Sequence, residues 1–280
     1  MTTVEDQAPE VEQVGDITIR MMDVGGQTLR VATKPGKKGR VPLLMFNGIG
    51  ANLELGFPFL NAMKDTPTII FDIPGVGGSP MPKLPYVPMT MAATAKKLVE
   101  MLGHDEVDVS GVSWGGGLAQ QFAFQYPAMT RKLVLVATSA GWTMVPGKPS
   151  VLSKMTNIKR YTDKGYMRSI AAEIYGGDFR KDETLINDHA DGMRPSSNAG
   201  YFLQLLAMTG WTSSWFLWTL RMPTLILSGT DDPLIPVANA KFLHRMIKNS
   251  QLELVDNGHL FCVTQPKMTA EIVTGFLADG

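Results

Sequence analysis

Gly111-Val112-Ser113-Trp114-Gly115 is the stretch on which the reading of this chain turns. The apolar run Val107-Asp108-Val109-Ser110 leads into it. Gly116-Gly117 and an apolar-periodic segment to Tyr126 lead out, and Pro127 stops the pattern. The sequence therefore predicts strand, sharp turn, helix. A serine at the tip of such a turn is held in a strained backbone conformation that only small neighbours permit, which is what Gly111 and Gly115 supply. Ser113 then stands at the positive end of the following helix, where developing negative charge is stabilised. Alone, the pentapeptide also fits a glycine-rich turn with an incidental serine. The rest of the chain has to separate the two.

Working outward, strands and helices alternate. Ile17 to Val24 and Gln27 to Thr33 read as a hairpin joined by Gly25-Gly26. Val41 to Phe46 and Thr68 to Phe71 are near-continuous apolar runs, as buried parallel strands require. A short helix fits Phe57 to Met63, a longer one Thr90 to Leu102, and another buried strand Lys132 to Ala137. From about Ala140 to Arg221 the alternation stops, with short helical stretches such as Tyr166 to Tyr175 and Asp182 to Ala190. It resumes at Pro223 to Ser228, with a helix over Pro236 to Ile247, a strand at Leu252 to Val255 and a closing helix over Pro266 to Leu277. The expected fold is α/β, a mostly parallel central sheet with helices on both faces and an inserted helical cap. Its expected parts are a flexible leader over 1–15, a core over 16–139 and 222–280, and a cap over 140–221.

Composition narrows the function. At 280 residues the chain suits one large domain with an insertion. The 26 Lys and Arg balance the 26 Asp and Glu, so no excess charge draws the molecule to nucleic acid or an anionic membrane. The single cysteine, Cys262, excludes an internal disulfide framework, suits a reducing compartment and reads as a small buried hydrophobe. The polar, acidic start lacks the pattern of a secretory signal, and no later window approaches a membrane span. The expectation is a cytoplasmic protein without a transmembrane segment.

Acyl transfer through serine needs a base, a group to orient the base, and donors for the oxyanion. Asp232, in Gly229-Thr230-Asp231-Asp232-Pro233, and His259, in Asn257-Gly258-His259, both follow strands, where open α/β sheets place their sites. His244 falls inside a helix, His104 at a helix end and His189 in the cap, which leaves His259 as the base. Asp231 reads as a turn-capping neighbour of Asp232, and Asp72, in a loop near the site, as a structural rival. The oxyanion donors are expected to be the main-chain N–H groups of Trp114 and of Ile49, within Asn47-Gly48-Ile49-Gly50. Trp211, Trp215 and Trp218 are spaced four and three apart and predict one helical stripe at the end of the cap, mainly buried and with one ring facing the substrate pocket. No histidine or cysteine cluster has metal-ligand spacing, and no phosphate loop is visible, so neither a metal nor a cofactor is expected.

Further motifs add a resemblance. They are Phe46 to Leu55, Asp72-Ile73-Pro74-Gly75-Val76-Gly77-Gly78-Ser79, the serine elbow, Val145-Pro146-Gly147-Lys148-Pro149, Ile174-Tyr175-Gly176-Gly177, Gly210-Trp211-Thr212-Ser213 and Asp231 to Pro236. Together they resemble the α/β-hydrolase family of bacterial intracellular poly(3-hydroxyalkanoate) depolymerases of the medium-chain-length type, from about Ile17 to Leu277. The resemblance implies an α/β-hydrolase fold, a Ser113, Asp232, His259 triad, and a serine esterase that cuts storage polyester at the surface of cytoplasmic granules. Asn47 stands where many α/β-hydrolases carry histidine, and this family shares the asparagine. Two other readings stay open. One is a small-molecule carboxylesterase or carbon–carbon bond hydrolase with the same triad, for which Arg194 is an available cation. The other is a non-catalytic binding protein on the same fold.

Overall fold

The computed structural model describes residues 11–157, 159–194 and 197–278, without the side chain of Tyr161. In chain order the elements are β1 (Val11–Val14), β2 (Ile17–Asp23), β3 (Thr28–Lys34), β4 (Leu43–Phe46), α1 (Leu53–Ala62), β5 (Thr68–Phe71), α2 (Pro88–Met101), β6 (Val107–Val112), α3 (Trp114–Gln125) and β7 (Thr130–Val136). Five helices follow: α4 (Pro149–Met155), α5 (Lys159–Thr162), α6 (Lys164–Tyr175), α7 (Glu183–Gly192) and α8 (Asn198–Met208). The chain then runs through β8 (Thr224–Gly229), α9 (Val237–Met246), β9 (Ser250–Val255), α10 (Phe261–Thr264) and α11 (Pro266–Ala278).

One sheet carries the strands in the order β1-β2-β3-β5-β4-β6-β7-β8-β9. The pairs from β5 through β9 are parallel, while β1, β2 and β3 pair antiparallel. Strands β4 to β8 are buried along their whole length except at Arg131, which is why they read as apolar runs. Apolar side chains of α2, α3 and α9 fill one face, and those of α1, α10 and α11 the other. The glycines of the β2–β3 hairpin take φ of 66° and 89°, a left-handed pair suited to the tight turn.

Residues 140–221 add no strand to the sheet among the described residues, only an isolated bridge between Gly141 and Thr212. They build a third apolar cluster around Met167, Ile170, Ile174, Phe179 and Tyr201, to which Leu234 of the core contributes. Side chains cap the helices here: Asp163 accepts from the Tyr166 N–H, Asp182 from that of Thr184 and Ser197 from that of Gly200.

Two expectations are corrected. The leader was expected to be flexible to residue 15, yet Val11–Val14 form a strand on β2, and Glu12 pairs with the buried Arg30 at 3.0 Å. The earlier part of the leader, residues 1–10, lies outside the described residues. The tryptophans do not share a helix. Trp211 lies in irregular backbone, Trp215 in a turn and Trp218 in the short 3₁₀ turn Leu217–Thr219. The intervening hydroxyls explain the difference. Thr212 Oγ1 donates to the Ala140 carbonyl, Ser213 Oγ donates to Gln120 and Ser214 shares a hydrogen bond with Thr143, contacts that compete with helical pairing.

Candidate active site

Ser113 joins β6 to α3 with φ 54° and ψ −119°, a positive φ that is rare outside glycine. The strain is held by neighbours: its N–H donates to the Val136 carbonyl at 2.9 Å, and its own carbonyl accepts from Thr138 Oγ1 at 2.6 Å. Glycine is obligatory on both sides. A Cβ on Gly111 would lie 2.2 Å from the Gly115 carbonyl oxygen, and one on Gly115 would lie 2.2 Å from that of Phe46. The pentapeptide is thus a close-packed turn that lifts one hydroxyl above the sheet.

His259 Nε2 lies 2.9 Å from Ser113 Oγ, and its Nδ1 lies 2.7 Å from Asp232 Oδ2. The other oxygen of Asp232 accepts from the N–H groups of Leu234 and Ile235, both at 2.9 Å, so the carboxylate is fully held. Both His259 and Asp232 are buried. The His259 N–H donates to the carbonyl of Tyr175 at the end of α6, so a cap residue fixes the loop that carries the imidazole. That approach needs bare backbone as well: a Cβ on Gly258 would sit 2.0 Å from the same carbonyl oxygen.

Asp231 faces the other way. Its carboxylate pairs with Arg180 and accepts from the Gly177 N–H at 2.8 Å, and the Arg180 hydrogen bond holds its pKa below the usual range. It ties residues 177–180 to the loop after β8. Asp72 accepts from the N–H groups of Leu53 and Gly78, both at 2.8 Å. Burial pushes its pKa up to about 6 against those hydrogen bonds and the charge of Arg30, 3.5 Å away. Its oxygens are spent on the main chain, as expected of a structural residue. His244 contacts Ser250, and neither it nor His104 lines a cavity that touches Ser113.

Ser113 opens onto two apolar cavities. The inner, more enclosed one is bounded by Ile49, Leu55, Phe59, Met155, Tyr175, Leu234 and His259. The outer one is bounded by Trp114, Trp142, Met144, Met208, Trp211 and Ile235. Ile49 lines the inner cavity together with Ser113, and Trp114 opens α3, where first-turn N–H groups have no carbonyl of their own helix to meet. Of the three tryptophans of the expected stripe, one, Trp211, lines the pocket, whereas Trp215 and Trp218, expected to be buried, are 63% and 60% exposed on the surface. Trp142, 70% exposed, lines the outer cavity as well, and nothing in its sequence context marked it. Arg194 lies outside both cavities and pairs with Glu54 at 2.7 Å. Cys262 is buried, and burial raises its thiol to about 12.

Gln204 of α8 was not singled out by the sequence. It is wholly buried, its Oε1 accepts from the Gly50 N–H at 2.7 Å, and its carbonyl accepts from Trp114 Nε1 at 3.1 Å. One cap residue thus holds both segments from which oxyanion donors are expected.

Known proteins share this architecture. The sequence pattern described as the alpha/beta hydrolase fold matches residues 41–266. Poly(3-hydroxyalkanoate) depolymerase of Ectopseudomonas oleovorans is 48% identical over 259 residues, covering 92% of this chain and 92% of that protein. 3-Oxoadipate enol-lactonase 2 of Acinetobacter baylyi is 25% identical, covering 83% and 86%. Among solved structures, the enol-lactonase of Burkholderia xenovorans LB400 superimposes with a TM-score of 0.80 at 19% identity, covering 92% of this chain and all of that one.

Proposed function

Because this chain belongs to the α/β-hydrolase fold family, we propose that it is a serine esterase that hydrolyses medium-chain poly(3-hydroxyalkanoate), or its oligomers, through an acyl-enzyme. The observation that carries the reading is the 48% identity with a poly(3-hydroxyalkanoate) depolymerase over nearly the whole of both chains. The two apolar cavities that Ser113 lines support it, since a polyester presents aliphatic side chains on both sides of every scissile bond.

In this mechanism His259 takes the Ser113 proton as Oγ attacks the ester carbonyl, and Asp232 holds the imidazole in the tautomer that accepts it. The N–H groups of Ile49 and Trp114 receive the oxyanion. His259 returns the proton to the leaving hydroxyl, and a water repeats the sequence on the acyl-enzyme. The chemistry asks for nothing beyond these groups and water. Docking at a granule surface in the cytoplasm fits the exposed rings of Trp142, Trp215 and Trp218. Trp142 rims the outer cavity, Trp215 the adjoining groove with Val87 and Met89, and Trp211 joins the two. Trp218 Nε1 donates to the Trp215 carbonyl, which keeps it on the same surface. Patches of this kind mark interaction surfaces.

The purified protein is expected to clear a suspension of medium-chain polyester granules, and Ser113→Ala to abolish clearing and soluble-ester hydrolysis alike. Only the roughly 10³–10⁴-fold catalysis over water that survives loss of a triad member should remain. A serine-directed phosphonate is expected to label Ser113. Clearing of a short-chain polyester but not the medium-chain one would refute the substrate assignment, and full activity in Ser113→Ala would refute the mechanism.

A further inference from the structure

The inner cavity holds polar side chains for which the mechanism above has no use. Its walls are mostly apolar, yet Arg160 of α5 and His189 of α7 line it together with Ser113 and His259. Both belong to the cap segment and both are buried, Arg160 at 2% exposure and His189 at 6%. His189 Nδ1 is buried without a hydrogen-bond partner. The ring is set edge-on against Tyr175 and Phe179, with centroids 5.2 and 5.5 Å away, so its orientation is fixed. Burial lowers its pKa to about 4, and the charge of Arg160 acts in the same direction. At neutral pH the imidazole is therefore uncharged and keeps one N–H to donate. Burial pushes the hydroxyls of Tyr175 and Tyr201 up, and the same Arg160 charge pulls them the other way. The guanidinium charge thus acts on Tyr175 and His189, both of which line this cavity.

A guanidinium and an unpartnered neutral imidazole in a water-poor pocket are a poor seat for an alkyl chain. They are a good one for a carboxylate, which takes charge-assisted hydrogen bonds from both. The mechanism decides which part of the substrate lies there. The proton that His259 removes from Ser113 must pass to the leaving oxygen, and His259 lines the inner cavity and not the outer one. The leaving hydroxy acid therefore occupies the inner cavity. In a poly(hydroxyalkanoate), the unit that ends in a free carboxylate is the last one.

We propose that Arg160 and His189 form a carboxylate subsite that seats the free carboxyl end of a hydroxyalkanoate chain, so that the enzyme removes its terminal unit. The inference rests on the esterase reading above. Ser113 Oγ bonds to the acyl carbon of the penultimate unit, and the ester C–O bond to the last unit breaks. His259 delivers its proton to the freed 3-oxygen, and one 3-hydroxy acid leaves with its carboxylate still ionised. Water then releases the shortened chain from Ser113.

The test compares the dimer 3-hydroxydecanoyl-3-hydroxydecanoate as free acid and as methyl ester. Wild-type kcat/KM should favour the free acid by about tenfold or more, the scale of a hydrogen bond to a charged group. Arg160→Gln should bring that ratio close to one, and Arg160→Lys should restore part of it. Should Arg160→Gln fail to fold, inhibition of the wild type still decides. 3-Hydroxydecanoate should inhibit p-nitrophenyl decanoate hydrolysis about tenfold more strongly than the uncharged 1,3-decanediol. A wild-type protein that cleaves p-nitrophenyl decanoate but shows neither preference overturns the subsite and leaves the esterase reading standing. An undiminished ratio in Arg160→Gln also overturns it. Failure to cleave p-nitrophenyl decanoate at all would remove the esterase reading itself.

Discussion

Asp231 and Asp232 are adjacent in sequence and opposite in surroundings. Asp232 is buried against His259 and two main-chain N–H groups, whereas Asp231 is half-exposed and bound to Arg180. Asp232→Asn is expected to lower kcat by about 10⁴, because the amide leaves His259 in the wrong tautomer. Asp231→Asn should cost less than about tenfold, since it loses only a screened surface ion pair and one main-chain contact. Steady-state kinetics on p-nitrophenyl decanoate checks the pair, and equal losses would contradict the assignment. At this scale the sequence was informative where chemistry constrains residue type. The elbow glycines and the two strand-end loops singled out Ser113, Asp232 and His259, which the fold then brings within hydrogen-bond distance of one another. His189 and Arg160 were not legible as cavity residues. Their exposure depends on how short cap helices rotate against one another, and periodicity gives no phase for helices with few apolar positions.

Among the elements, α8 has a role that its sequence conceals. It crosses the Gly75 loop so closely that a Cβ on Gly200 would lie 1.8 Å from the Gly75 carbonyl oxygen, and one turn later Gln204 reaches Gly50 and Trp114. Gln204→Leu removes the acceptor for Gly50 and leaves that N–H buried, a loss of about 1–3 kcal/mol in stability. It should also lower kcat about ten- to a hundredfold with little change in KM, since oxyanion donors act on the transition state. Denaturant unfolding with kinetics on one soluble ester measures both, and a pure KM effect would contradict the positioning role. Buried strands were easily read because both of their faces are apolar. β1 was not, because every residue of Val11–Val14 is exposed and its place is set by edge pairing and the Glu12–Arg30 contact, neither of which leaves a hydrophobic pattern. The tryptophan spacing imitated a helix for the converse reason: the spacing was helical, but Thr212, Ser213 and Ser214 commit their hydroxyls elsewhere.

At the scale of the whole molecule, two buried titrating groups among the described residues, Asp72 and His189, have effects that oppose each other over the same pH range. Asp72 has a folded pKa of about 6, above its ordinary 3.8, so its contribution to stability falls as pH rises from about 4 to 6. His189 has a folded pKa of about 4, below its ordinary 6.5, so its contribution falls as pH drops from 6.5 to 4. Each shift corresponds to roughly 3 kcal/mol, and together they flatten the acid limb of the stability curve. His189→Gln should therefore lose less stability than wild type between pH 7 and 4.5, and Asp72→Asn should lose more, by on the order of 2 kcal/mol each. Urea midpoints at the two pH values check this, and parallel curves for all three proteins would contradict it. The bond from the His259 N–H to the Tyr175 carbonyl has a consequence for traffic through the site. With His259 as the proposed general base, a cap that swung away as one body would carry off that base's anchor, so a wide-open enzyme is also a disarmed one. Admission and turnover are then mutually exclusive states. On the proposed polyester reading, a polymer end would be threaded past side chains such as Trp142 at the outer mouth while the latch at Tyr175 stays shut.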